Sequence, residues 1–272
     1  MSTTTLKVIA LIAMVIDHIY HFIPNTPEWF GWIGRITVPI FIYTLVMGFQ
    51  YTSNRKKYLT RLYLFSFGMS LMNMLVNYIF RNYAVEDLSN NFFVPLFLTA
   101  FILSILEKKQ PKYLVLFGVW QIISLFLCVF LADIIQFPNF QSTGANGLIW
   151  GAILGNIFLA EGGPLFIIMG VSLYLVRNNK AHIVMVYTFF SLCCFYVSYK
   201  WGHLMNIWNK LLFPFTDYQW MMLAAVPFIL LYNNKKGAGL KYFFYLFYPI
   251  HIVILYLIGF YLNGGFSALL IK

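Results

Sequence analysis

The sequence predicts an all-α fold, a polytopic integral membrane bundle of about nine transmembrane helices with one re-entrant or interfacial segment. Three observations predict it. Hydrophobic residues make up 61 % of the 272 residues and charged residues 10 %, a balance that excludes an ordinary soluble domain. Apolar runs near the ~20 residues needed to cross a bilayer recur along the chain. The basic residues gather in alternate loops: Arg55-Lys56-Lys57, Lys108-Lys109-Gln110-Pro111-Lys112, 177–180, and Lys235-Lys236 with Lys241. Between them lie Glu28, Glu86-Asp87, Asp133 with Glu161, and Asp217. By the positive-inside bias this alternation places the N-terminus in the cytoplasm. Arg81, Lys200 and Lys210 run against it, but singly.

The first run follows a start, residues 1–5, that lacks the basic region and cleavage site of a signal peptide, so it reads as a retained helix, 6–24. The next candidates are 33–51, 58–80, 90–106 and 112–132, then 162–177, 181–199, 217–233 and 240–262. Residues 144–160 stand apart. Their apolar part is short, and Gly147, Gly151 and Gly155 recur every fourth residue, which favours close approach of another helix. If they crossed, every later basic loop would change sides, so the segment reads as re-entrant or interfacial. Residues 81–89, 133–161 and 200–216 become outer loops, with Trp201, Trp208 and Trp220 as interfacial anchors. No soluble domain or linker interrupts the chain, and 1–272 reads as a single transmembrane domain. No internal repeat supports an inverted-repeat transporter. Cys128, Cys193 and Cys194 lie in apolar stretches and read as small buried hydrophobes.

Ionisable groups in a lipid core are costly and mark function by default. Lys7 and His18 stand eleven positions apart in the first run, on nearly the same helix face and about 16 Å apart. Asp17 adjoins His18 and requires a cation or a proton, with Arg35 or a histidine as partner. His21 is one turn on. His251, after Pro249, reaches a depth close to that of His18 when counted from Lys241. His182 and His203 sit at a helix end and in an outer loop, where water accounts for them. Glu161 opens the sixth span in Glu161-Gly162-Gly163-Pro164. On the basic side Lys7, Arg55, Lys57, Arg61, Lys235, Lys236 and Lys241 form a set that suits a polyphosphate. No Walker-type loop is present, which disfavours nucleotide hydrolysis. No metal is expected, because Asp17 and His18 diverge on a helix and no further ligand cluster completes a site.

The order of these residues resembles that of the TraX family, polytopic proteins related to pilin N-acetylation in conjugation systems. The matching pieces are Lys7 to Asp17-His18; Ile33-Gly34-Arg35 with Pro39-Ile40-Phe41; Arg55, Tyr58 and Arg61-Leu62; Glu161-Gly162-Gly163; Leu231-Tyr232-Asn233; and the block from Gly239-Leu240-Lys241 through Phe247-Tyr248-Pro249-Ile250-His251. Lys7-x10-His18 also resembles the Arg/Lys-x10-His signature of the wider membrane acyltransferase-3 superfamily. Residues 133–160 look longer than the family usually carries. The resemblance implies a membrane acyltransferase of the bacterial cytoplasmic membrane. It would move an acetyl group from cytoplasmic acetyl-CoA to an extracytoplasmic protein or glycan acceptor, with no nucleic acid as partner. His18 is then general base or acyl carrier, with Asp17, Glu161 and His251 in the catalytic group. Lys7, Arg55, Arg61 and Lys241 bind the coenzyme, and Arg35 and Tyr248 bind substrate. A proton-coupled transporter, or a non-catalytic assembly protein of the envelope or conjugation apparatus, is the alternative.

Overall fold

A computed structural model describes residues 1–80, 88–135, 143–201 and 216–263. The helices are α1 (Thr3–Phe22), α2 (Trp29–Gly34), α3 (Thr37–Phe49), α4 (Arg55–Phe80), α5 (Phe93–Glu107) and α6 (Pro111–Ile134), followed by α7 (Thr143–Leu154), α8 (Gly163–Val176), α9 (Lys180–Trp201), α10 (Thr216–Gln219), α11 (Val226–Leu230) and α12 (Lys241–Leu262). A 3₁₀ turn, Trp220–Ala225, joins α10 to α11. The protein is an all-α, polytopic membrane helical bundle. Each of the nine expected spans contains helix, with a break at residues 35–36 in the second and a 3₁₀ turn within the eighth. Six apolar helices are long enough to cross: Thr3–Phe22, Trp29–Phe49, Arg55–Phe80, Pro111–Ile134, Lys180–Lys200 and Tyr242–Leu262. Phe93–Glu107, Gly163–Val176 and Trp220–Leu230 are shorter. Glu86, Asp87, Arg81, His203, Trp208 and Lys210, and the side chains of Trp201, Asp217 and Lys241, lie outside the described set.

Contacts gather the chain into two units. One comprises Met1–Tyr51 with the described parts of Ser172–Lys210 and Phe215–Lys272, and the other those of Thr52–Val171. In the first unit, Ser2 caps α1 by accepting a hydrogen bond from the Thr5 backbone N–H. The start of the chain then pairs with the basic loop before α12. Thr3 N donates to Lys235 O at 2.8 Å and Thr4 N to Lys236 O at 3.2 Å. The next span is broken at Arg35 and Ile36, between α2 and α3. Pro39 explains the break, since its ring excludes the carbonyl four residues earlier, that of Arg35, and supplies no N–H to it.

Helices α1 and α12 run parallel. Lys7 Nζ lies 5.7 Å from the Phe244 ring centroid near their starts, and the His18 and His251 rings meet further along. Near their ends a Cβ on Gly259 would strike the Phe22 carbonyl. Two parallel helices require an odd number of crossings between them, and the seven spans that the sequence predicts between α1 and α12 satisfy this.

The second unit shows why the shorter helices stop. Residues 88–91 are non-helical and are held against α4, and each polar backbone group at membrane depth needs a partner. Asn77 Oδ1 accepts from Leu88 N and its Nδ2 donates to Leu88 O. Asn73 Nδ2 donates to Asn90 O, and Asn91 Nδ2 donates to Ser66 O and Ser70 Oγ. The segment therefore consumes the outer part of what reads as a span, and α5 begins only at Phe93. Helix α7 uses the same device. Asn146 Nδ2 donates to Ala132 O and Ile135 O at the end of α6. After the 12 residues of α7 the chain turns at Gly155, whose φ of 68° suits glycine. Leu159 folds back onto Gly151, where a Cβ would not fit. The turn is pinned halfway along α6. Trp120 Nε1 donates to Leu154 O, Gln121 Nε2 to Gly155 O, and Ile157 N to Gln121 Oε1. Asn156 Nδ2 completes the joint with Gln121 O and Ser124 Oγ. At 12 residues α7 is shorter than a span, and the fold-back after it fits the re-entrant or interfacial segment expected from the sequence.

Candidate functional site

The first unit brings a histidine pair and an ion pair onto adjoining turns of α1. His18 and His251 are buried, 6 % and 7 % exposed. His18 Nδ1 and His251 Nε2 are 2.7 Å apart. Their rings lie 4.9 Å between centroids and 13° from parallel. Tyr248 is buried, with its ring 6.3 Å from that of His18 and 5.7 Å from that of His251. Phe22, at the C-terminal end of α1, lies 6.0 Å from His18, and Tyr256 packs against it.

One hydrogen bond orders the proton arrangement of the pair. His251 Nδ1 is 2.8 Å from Phe247 O. A carbonyl only accepts, so Nδ1 carries the proton. In a neutral pair, His251 Nε2 is then the acceptor and His18 Nδ1 the donor. The lone pair of His18 is left on Nε2, which is the atom a general base requires. Phe247 and His251 are i and i+4 on α12, and Pro249 between them removes the backbone donor to Tyr245 O.

Asp17 finds its cation in Arg35, with Arg35 Nη2 2.6 Å from Asp17 Oδ1. The two side chains are 23 % and 18 % exposed. Arg35 Nε also donates to Gly31 O at 2.9 Å. The break before α3 turns the guanidinium back toward α1. Gly31 and Gly34 make room for the approach. A Cβ on Gly31 would sit 3.0 Å from the Tyr20 ring, and one on Gly34 would collide with the Asp17 carboxylate.

Lys7 lies on α1 about 16 Å before His18, and Lys241 opens α12. The pairing of residues 3 and 4 with 235 and 236 folds the basic loop onto the start of α1. These two lysines thus open the two helices that carry the histidines.

The remaining sequence-predicted residues belong to the second unit. Arg55 Nε and Nη2 donate to Glu107 Oε2 and Oε1 at 3.1 and 3.0 Å, and its Nη1 donates to Thr52 O. Arg61 lies 5.5 Å over the Tyr58 ring and lines a cavity of about 420 Å³ with Lys56 and Lys57. Glu161 accepts a short hydrogen bond from Asn91 N through Oε2, beside the N-terminus of α5, where a carboxylate is favoured. Sequence reasoning missed Asn91, the Phe247 carbonyl and the amides of Asn73, Asn77, Gln121 and Asn156. The spacing of Ser66, Ser70, Asn73 and Asn77 on one face of α4 was the available signal.

Comparison with known proteins supplies a family. Residues 2–259 match the model of the family described as TraX protein. The chain is similar to a probable fimbrial assembly protein FimC, serogroup H1, of Dichelobacter nodosus. The two are 25 % identical over 266 residues, covering 93 % of this chain and 94 % of that protein. No solved structure matches.

Proposed function

Because the chain belongs to the TraX family, we propose that it is a membrane acyltransferase that acts on a fimbrial or pilin-like surface acceptor. It takes an acetyl group from acetyl-CoA on the side that carries the basic loops. The observation that supports this reading best is the relay from Phe247 O through His251 to His18, which leaves His18 Nε2 basic and buried. Lys7 and Lys241, at the starts of the same helices, suit the coenzyme phosphates. The fimbrial assembly name of the Dichelobacter relative supports the acceptor class.

The chemistry balances without a further reactant. His18 Nε2 accepts the proton of the acceptor amine or hydroxyl as its N or O attacks the thioester carbonyl carbon. The new C–N or C–O bond forms, the C–S bond breaks, and the coenzyme thiolate takes the proton back from His18. His251 holds the His18 ring in the required tautomer and shares the positive charge while His18 is protonated. Tyr248, packed against both imidazoles, is the donor we propose for the developing oxyanion. Asp17 and Arg35 tie α2 to α1 beside the base, and the role proposed for both is positioning. Glu161 and Arg55 serve the second unit, the first beside the start of α5 and the second through Glu107. The role proposed for Arg61, which lines one cavity with Lys56 and Lys57, is to bind coenzyme phosphate.

The test is acetyl-CoA-dependent labelling. Purified protein in proteoliposomes, given radiolabelled acetyl-CoA and envelope acceptors, transfers label to a surface protein or glycan. His18→Ala inserts and purifies but transfers none. Transfer by His18→Ala at the wild-type rate overturns the mechanism, and flux of a solute without transfer favours a transporter.

A further inference from the structure

We propose that the groove between the basic-loop ends of α4, α5 and α6 binds one anionic glycerophospholipid from the leaflet on that side. The groove lies wholly in the second unit and encloses about 670 Å³. Its rim is formed by Arg55, Lys56, Glu107 and Lys108. Arg55 and Glu107 neutralise one another through their two-armed contact. Lys56 and Lys108, both exposed, leave the rim cationic. Lys108 Nζ stands 4.4 Å over the Tyr113 ring, which holds one ammonium at the mouth.

Below the rim the lining is Leu59, Phe101, Ile105, Leu116, Phe117 and Trp120. Lys108 to Phe101, and Tyr113 to Trp120, are each about 10 Å of helix, the drop from headgroups into acyl chains. The polar side chains at this depth are already committed. Ser104 Oγ donates to Ala100 O at 3.0 Å, and Trp120 Nε1 to Leu154 O at 2.8 Å. The amide-bearing arm of a coenzyme would lose its water here without side-chain replacements, whereas an alkyl chain loses nothing.

The groove also opens sideways. Leu116 is 61 % exposed and Trp120 40 %, and the buried residues of α6 are Gln121, Ser124 and Cys128. A ligand can enter from the bilayer without crossing water. A cationic rim, a hydrocarbon floor and a lateral opening together match an anionic phospholipid rather than a soluble phosphate ester.

The experiment uses the full-length protein, delipidated in detergent and re-supplied with phosphatidylglycerol, phosphatidylcholine or coenzyme A. Native mass spectrometry should show one phosphatidylglycerol retained where phosphatidylcholine is lost. Lys56→Gln with Lys108→Gln should weaken that retention at least tenfold. In phosphatidylcholine vesicles, a small fraction of phosphatidylglycerol brominated on its acyl chains should quench the emission that Trp120→Phe removes more strongly than the same fraction of brominated phosphatidylcholine, and equal quenching overturns the proposal. This arm uses wild-type folding and decides the matter if the double variant misfolds. Equal retention of both lipids, an unchanged double variant, or displacement of phosphatidylglycerol by coenzyme A overturns the proposal.

Discussion

The carboxylate of Asp17 fills the space in which a Cβ at Gly34 would stand. Gly34→Ala must therefore push α2 off α1 or turn Asp17 away from Arg35. A destabilisation of about 1–3 kcal/mol is expected from such overpacking. Gly48→Ala is the control, because nothing lies within 4 Å of its Cβ and alanine is the better helix former. Thermal melts in detergent should lower the midpoint for Gly34→Ala alone. Equal midpoints would show that the contact relaxes freely.

Removing one member of the Asp17–Arg35 pair leaves a charge in the membrane. Asp17→Ala or Arg35→Ala should each cost roughly 3 kcal/mol. The double variant should be more stable than their sum predicts, and a double-mutant cycle measures the difference. Additive losses would show that the 2.6 Å contact contributes no coupling.

His251 acts through His18 in the proposed mechanism, so chemistry rather than bulk decides which replacement works. His251→Ala should lower transfer by about 10²–10⁴-fold. His251→Gln offers an amide oxygen to His18 Nδ1 and should recover part of that loss in kcat, with little change in KM for acetyl-CoA. Equal activity of the two variants would reduce His251 to packing.

The re-entrant turn depends on one amide of α6. Gln121→Leu strands both Gly155 O and Ile157 N, at about 1–3 kcal/mol for each buried group. Proteolysis should become faster within residues 155–162, while Ile122→Leu on the exposed face of the same helix should change nothing. An unchanged cleavage rate in Gln121→Leu would dismiss the joint.

Sidedness follows from the basic loops and the parallel α1 and α12. Cysteines at Lys56 and Lys236 should share one side and resist external reagents, whereas one at Pro27, in the loop after α1, should react. External labelling of Lys236→Cys would invert the orientation.

The histidine depths were legible because counting residues along an apolar helix measures distance along the membrane normal. His18 and His251 could be brought to one level without knowing that α1 and α12 touch. Arg35 was nameable as a partner for Asp17 because a buried carboxylate requires a cation. The span lengths were less legible. Residues 90–106 read as helix throughout and 144–160 as ambiguous, whereas α5 starts at Phe93 and α7 stops at Leu154. The difference arises because the uncharged amides of Asn73, Asn77 and Gln121 support non-helical backbone. Such side chains pass a hydropathy scan as minor blemishes, although their hydrogen bonds determine where each helix begins.

The contact between His18 and His251 joins positions 233 residues apart. During synthesis α1 enters the membrane before α12, so His18 has no partner until α12 has been inserted. Chains terminated before α12 would carry Lys7 and His18 and still lack the histidine pair. In the proposed mechanism such a product is inert, and transfer waits on the insertion of α12.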